Sequence, residues 1–161
     1  MATVDHTTRS EVDQATRNEA AARRWIEEVQ NGHNPAVVDE LMSPDFESHA
    51  LFPHPYRPAR MQDGSWVERI KRNIDQDFMG VGKDHTTIDQ MIAAGDKVVT
   101  VTTTTGTRNG KQVSYSSVTI SRFADGKMVE GWQLWDRLGL YQQFGVIAET
   151  PELMKQAGLE T

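Results

Sequence analysis

Two carboxylates in the last patterned stretch of the chain, Glu130 and Asp136, are the residues best placed to do chemistry. They lie in KMVEGWQLWDRLGLYQQFGV, residues 127–146, which follows an Asp125-Gly126 turn and alternates. At a period of two, Met128, Glu130, Trp132, Leu134 and Asp136 share one face of a strand, while Val129, Gly131, Gln133, Trp135 and Arg137 share the other. A carboxylate beside Trp132 and Leu134 is disfavoured in its charged form, which suits Asp136 to moving protons near neutral pH. The alternative is that Asp136 only ends the strand, held by Arg137 or by backbone N–H groups. Glu130 lies six residues back, about 20 Å along an extended strand, so the two form no close dyad. Glu130 then lines the far end of a cavity or sits in a structural ion pair.

Few other tools are present. The chain has no cysteine, so thiolate nucleophiles, thiolate metal sites and disulfides are excluded. No metal ligands stand at persuasive spacing, and neither a nucleophile elbow nor a glycine-rich phosphate loop occurs, which leaves proton transfer without metal or organic cofactor. In DFESHA, residues 45–50, Phe46, Ser48 and Ala50 fall on one face and Asp45, Glu47 and His49 on the other. His49 is either a rim residue or a pocket residue, and with His85 it is a candidate donor to a developing oxyanion. Trp25 sits on the apolar stripe of a first helix, as core, as cavity wall or as both. Tyr56 belongs to LFPHPYRPARM, residues 51–61, whose three prolines stiffen a loop that either covers a pocket mouth or merely connects across the surface.

The elements that must position these groups follow from periodicity. Residues 1–15 are polar and unpatterned and read as a flexible tail before one domain, 16–161. Thr16 and Glu19 stand at capping-box spacing ahead of Ala22, Trp25, Ile26 and Val29, and Asn31-Gly32 stops that helix. Asn34 and Pro35 open a short second helix. Ser65 and Glu68 open a third, ending near Phe78. From His85 onward Gly95-Asp96, Arg108-Asn109-Gly110-Lys111 and Asp125-Gly126 punctuate four strands of an antiparallel meander. The threonines of residues 100–107 suit a half-wet strand and carry no catalytic message. Thr150-Pro151-Glu152 opens a terminal helix ending at Gly158.

Helices segregated from strands define an α+β domain, and a curved sheet wrapped around the N-terminal helices leaves a cone-shaped cavity. In that arrangement the Asp136 face looks inward and the Trp135 face outward, and an outward Trp beside a Thr-rich surface predicts a homodimer through the outer sheet face. The 161 residues hold 17 basic and 23 acidic side chains, a net charge of −6 with no basic run. That balance argues against nucleic acid or an anionic membrane as partner and favours a small molecule. No run approaches the roughly 20 apolar residues of a membrane span, and residues 1–15 lack a signal-peptide core, so the chain reads as soluble and cytoplasmic.

The pattern RRWIEEVQNG, then SPDFESH, IDQMIAAGDKVV, TGT and ISRFADGKMVEGWQLWDRLGLYQQFGV resembles the SnoaL-like polyketide cyclases of the nuclear-transport-factor-2-like, or ketosteroid-isomerase-like, superfamily, over roughly residues 18–147. The resemblance implies a cone-shaped α+β barrel, commonly dimeric, and an intramolecular aldol cyclisation needing no cofactor. It also implies Asp136 as the acid/base and puts His49 at the position of the histidine that follows the PDF motif. Substrate contacts would come from Trp25, Trp132, His85, Glu130 and Tyr56. The chain departs from the pattern after TGT, where relatives often carry a longer hairpin and a histidine; here the turn is short and Arg108 takes that place. The pocket wall differs accordingly, and the cyclase substrate does not carry over with the fold. Two other expectations remain open: a non-catalytic binding protein, and a hydrolase or dehydratase using the same pocket.

Overall fold

The protein is described from a computed structural model covering residues 6–50, 65–74 and 82–159. Its elements run α1 (His6–Arg24), a π-helical turn (Trp25–Gln30), α2 (Pro35–Leu41), β1 (Met42–Ala50), α3 (Trp66–Asn73), β2 (Gly82–Ala94), β3 (Lys97–Arg108), β4 (Lys111–Ala124), β5 (Lys127–Trp135), α4 (Arg137–Gln143) and α5 (Thr150–Gln156). The α+β class stands. The sheet is open, in the order β1-β5-β4-β3-β2.

All three turns of the meander form as expected, and Asn109-Gly110 and Asp125-Gly126 both take the positive φ values that two-residue hairpins require. Asn34 caps α2 by accepting the Ala36 N–H, and Ser65 caps α3 by accepting the Val67 N–H. Two expectations fail. Helix α1 begins at His6, ahead of the start at Thr16 read from sequence. Thr16 does not cap: its hydroxyl donates to the Val12 carbonyl one turn back, inside a run with no glycine or proline to stop it. The sheet also gains a fifth strand, because β1 pairs with β5 in parallel.

The helices pack on one side of the sheet. Val29, Val37, Val38, Leu41 and Val67 bury against Val98, Phe123 and Met128, with Trp25 half-buried at the margin of this core. At the opposite end of the sheet, Leu140 of α4 packs with Val113, Tyr115 and Phe144. The helix-side face therefore carries Val98, Thr100, Thr102 and Thr104 of β3, all buried, with Ser117, Ser121 and Phe123 of β4. Register extends that face to Gly131, Gln133 and Trp135. Gly131 is small for a reason of space: a Cβ there would come 2.8 Å from Cζ of Phe46.

The face assignment of the last strand is thus opposite to the alternation read from sequence. Arg122 pairs with Glu130, but its neighbour Phe123 pairs with Met128, so β5 holds one extra residue at Val129. That bulge lets Met128 point into the core while Glu130, Trp132 and Leu134 point away from the helices. Trp135 and the threonines expected outside lie on the helix side.

The π turn ends in a clasp on the sheet edge. The Asn31 Nδ2 donates to the Thr86 carbonyl at 2.9 Å, and Oδ1 accepts the Thr86 N–H at 2.8 Å, so one amide side chain stands in for a neighbouring strand on β2. Replacing Asn31 with Ala is expected to cost about 1–3 kcal/mol in urea unfolding, since both groups of a largely buried Thr86 lose their partner.

Candidate functional site

Asp136 is the first residue after β5 and the N-cap of α4. Its backbone N–H donates to the Ser116 carbonyl at 3.0 Å, and its Oδ1 accepts the Gly139 N–H at 2.9 Å. The carboxylate is exposed, not sealed between Trp132 and Leu134, because the strand has already ended and the chain turns to lay α4 on β4. The backbone N–H contact, one of the arrangements read from sequence for Asp136, is present. Arg137 takes no part in it; its guanidinium lies over the Trp135 ring, 5.2 Å from the centroid.

What holds this corner is α4. Leu140 is fully buried, and the Gln143 amide accepts the Ser114 N–H at 2.9 Å while donating to the Ser114 carbonyl at 2.7 Å. Gln143 thereby continues the hydrogen-bond ladder of β4 past the end of β5. Beside the corner opens a groove of about 380 Å³ lined by Ser116, Ser117, Val118, Leu134, Trp135 and Asp136. A volume in this range accommodates a small organic ligand. Its walls are mainly the carbon surface of Val118, Leu134 and Trp135, and its polar groups are two serines and one carboxylate. The Ser117 hydroxyl is 2.8 Å from that of Thr102, and whichever of the two accepts keeps its own proton to offer elsewhere. A second groove, of about 340 Å³, lies between α4 and α5, but its amides are engaged locally, with Gln142 Nε2 donating to the Ala148 carbonyl at 2.8 Å.

The remaining candidates are not gathered here. His49 lies on the sheet face away from the helices, stacked on Trp132 with ring centroids 4.8 Å apart at 21°. Its Nε2 is 3.5 Å from Glu130 Oε2 and 3.9 Å from Glu47 Oε2. No hydrogen bond or ion pair among the described residues connects His49 with Asp136. Glu130 is the ion-pair partner of Arg122, at 2.5 Å, which fulfils the structural alternative. His85 is exposed on β2 opposite Thr105, and Trp25 sits across the sheet from Trp132, with the core cluster. Tyr56 lies outside the described residues. Among the described residues no group of three or more His, Asp or Glu side chains is arranged to hold a metal ion, and no helix is long and apolar enough to cross a membrane.

Ser116 and Ser117 were not anticipated, although a signal for them existed. Counting back from the Asp125-Gly126 turn sets β4 against β5, and puts the Ser116-Ser117 pair opposite Trp135 to within the one residue that the bulge adds.

An open sheet backed by helices on one side, with a groove at the end of β5, defines a small α+β domain with a candidate small-molecule site. Residues 20–144 match the SnoaL-like polyketide cyclase family, and the chain belongs to it. Among solved structures it is similar to a candidate polyketide cyclase from Bacillus cereus ATCC 10987, with 29% identity, coverage of 84% of this chain and 85% of that one, and a TM-score of 0.70. It also shares the fold of a candidate polyketide cyclase from Acidithiobacillus ferrooxidans (24% identity, 82% and 96% coverage, TM-score 0.66) and of AclR, a candidate hydroxylase from Streptomyces galilaeus (20% identity, 89% and 90% coverage, TM-score 0.67). No curated protein matches the chain. Family and neighbours together indicate a cyclase-like role on a small molecule as the general class of function.

The charged cluster gives a pH test of the structural reading of Glu130. The hydrogen bond from Arg122 holds the Glu130 carboxyl below the usual carboxylate range against the opposing effect of burial, and the charges of Arg122 and His49 add to it. A carboxylate whose folded-state pKa is depressed contributes stability above its unfolded value and loses it as pH falls through the folded value. Replacing Arg122 with Gln is therefore expected to lower stability at about pH 7 and to make progressively less difference toward about pH 3, measured as urea midpoints across that window.

Proposed function

We propose that this protein is a cofactor-independent acid/base enzyme acting on a carbonyl-containing, polyketide-like small molecule, with Asp136 as the group that moves the proton. The single observation that carries the reading is the position of Asp136 on the wall of a mainly apolar groove. Its Oδ1 is used by the Gly139 N–H, and Oδ2 has no hydrogen bond among the described residues. In an intramolecular aldol step, Asp136 takes a proton from a carbon flanked by two carbonyls. The enolate carbon then forms a bond to a second carbonyl carbon of the same molecule, and the resulting alkoxide recovers the proton. Nothing is lost from the substrate. An ordinary aspartate is a weak base for carbon, so the flanking carbonyls must acidify it, and a flat chain held on Trp135, Leu134 and Val118 supplies orientation. Ser116 and Ser117, which line the groove, supply hydroxyl donors for the developing oxyanion. His49 has no part in this mechanism, because Trp132 and Glu130 occupy it and no hydrogen bond or ion pair among the described residues connects it with Asp136.

A second reading has its own observation. Asp136 is exposed and already serves as a cap, which also fits a binding protein of the same fold without turnover. Asparagine caps a helix about as well as aspartate, so Asp136→Asn removes the base and spares the fold. Against a panel of poly-β-keto and hydroxyanthraquinone-like esters, the substitution is expected to lower turnover by about 10² or more at an unchanged melting temperature. Equal binding by both proteins with turnover in neither favours the second reading.

We also propose that a second copy of the chain covers the sheet face away from the helices. Register lays that face out in rows. Ile92, Val99, Ile120, Trp132 and His49 form one row across all five strands, and Val101, Val118 and Leu134 form the next, where the band meets the groove beside Asp136. Ile92 and Leu134 are exposed and the rest are half-buried, an apolar band of the kind found at interfaces. The bordering row runs Lys97, Arg122, Glu130, Glu47, two positive charges followed by two negative. Laid against its own reverse by a two-fold axis along the strands, it sets Lys97 opposite the partner's Glu47 and Arg122 opposite the partner's Glu130. Ile120→Lys is expected to convert dimer to monomer in light scattering at micromolar concentration. A wild-type protein that runs as a single chain there would refute the assembly.

A further inference from the structure

We infer that Gly139 is the positioning residue for the Asp136 carboxylate, an inference that rests on the reading of Asp136 as the acid/base group. Gly139 is the third residue of α4 and has no positive φ, so backbone freedom does not explain a glycine there. Glycine also weakens a helix relative to alanine, so the position needs another reason. Space supplies it. A Cβ built on Gly139 would fall on Asp136 Oδ2, with Cγ at 3.0 Å and Oδ1 at 3.1 Å. The carboxylate lies where the methyl group of an alanine would be, close enough for Oδ1 to take the Gly139 N–H. Asp136 therefore holds its cap only while residue 139 has no side chain. The helix itself does not hang on this contact, since buried Leu140 and the Gln143 clasp on Ser114 hold α4 to β4 independently.

A methyl group at 139 leaves two outcomes for the chain: the carboxylate swings out of the cap, or the first turn of α4 shifts. Either one moves the base relative to a ligand in the groove, and a displacement of about 1 Å can cost about 10²-fold in rate. The consequence differs from that of a purely structural glycine, whose replacement would change stability and leave the chemistry alone.

The test uses the full chain with Gly139→Ala, Asp136→Asn, Asp136→Ala and the double substitution Gly139→Ala/Asp136→Asn. Amide hydrogen exchange reads the cap without any substrate. After correction for intrinsic rates, the residue 139 amide is expected to exchange about fivefold faster or more in Gly139→Ala, as in Asp136→Ala, while the amides of Leu140 and Phe144 keep their protection. With an active ester from the panel, Gly139→Ala is expected to lower kcat by about 10²-fold with little change in KM, and to add nothing to the loss in the Asp136→Asn background. Retained protection at residue 139, or full turnover by Gly139→Ala where Asp136→Asn is inactive, overturns the inference and leaves the acid/base reading intact. Full turnover by Asp136→Asn overturns the acid/base reading and any catalytic role for Gly139 with it, while the exchange result still decides whether the glycine holds the cap.

Discussion

One extra residue in β5, at Val129, decides which way every side chain from Glu130 to Trp135 points. A strand has only two faces, so a single inserted residue exchanges them for everything beyond it. Upstream of the bulge, Met128 enters the core beside Phe123; downstream, Glu130, Trp132 and Leu134 face away from the helices, and Gly131, Gln133 and Trp135 face them. The groove and the apolar face of the sheet follow from this. Trp135 reaches the groove beside Asp136, and Trp132 joins the apolar row with Ile120, Val99 and Ile92. Without the bulge Met128 and Glu130 would share a face, and one of the two would be in the wrong solvent.

The parallel pairing of β1 with β5 is the second consequence of packing. It brings His49 alongside Trp132 and Glu47 alongside Glu130, and so builds a compact polar cluster with Arg122 at one edge of the sheet face. A histidine stacked on an indole between two carboxylates has its orientation fixed by those neighbours, and is not available to a ligand at the far end of β5. The cluster shows how residue types suited to catalysis can instead serve the architecture. Asp136 differs in that it stands where regular structure stops: the strand has ended, the helix has not yet begun, and one oxygen satisfies the helix while the other is left over.

Two amide side chains perform the same task at opposite ends of the sheet. Asn31 clasps the backbone of Thr86 on the free edge of β2, and Gln143 clasps Ser114 where β4 has outrun β5. Each supplies one donor and one acceptor at the spacing of a peptide group, so a helix end takes the place of a missing strand. Through Gln143 the geometry of α4, and with it the corner at Asp136, is tied directly to the hydrogen-bond ladder of the sheet.

The amino-acid sequence by itself determined the features that near neighbours in the chain decide. Asp125-Gly126 and Asn109-Gly110 set their hairpins because those residues tolerate positive φ; Asn34-Pro35 and Ser65 started their helices; and the segregation of helices from strands defined the class. The resemblance carried by the AAGDKV and W…D…LGL…QQ patterns named the family that the full comparison returned. Only the tertiary structure decided which face of each strand is inside, that Thr100, Thr102 and Thr104 are buried, and that Asp136 caps a helix at the rim of a groove. The physical reason is that a bulge and a parallel pairing are settled by contacts between residues far apart in the chain. Alternation is a local pattern, and it stays the same whichever side the helices come to cover.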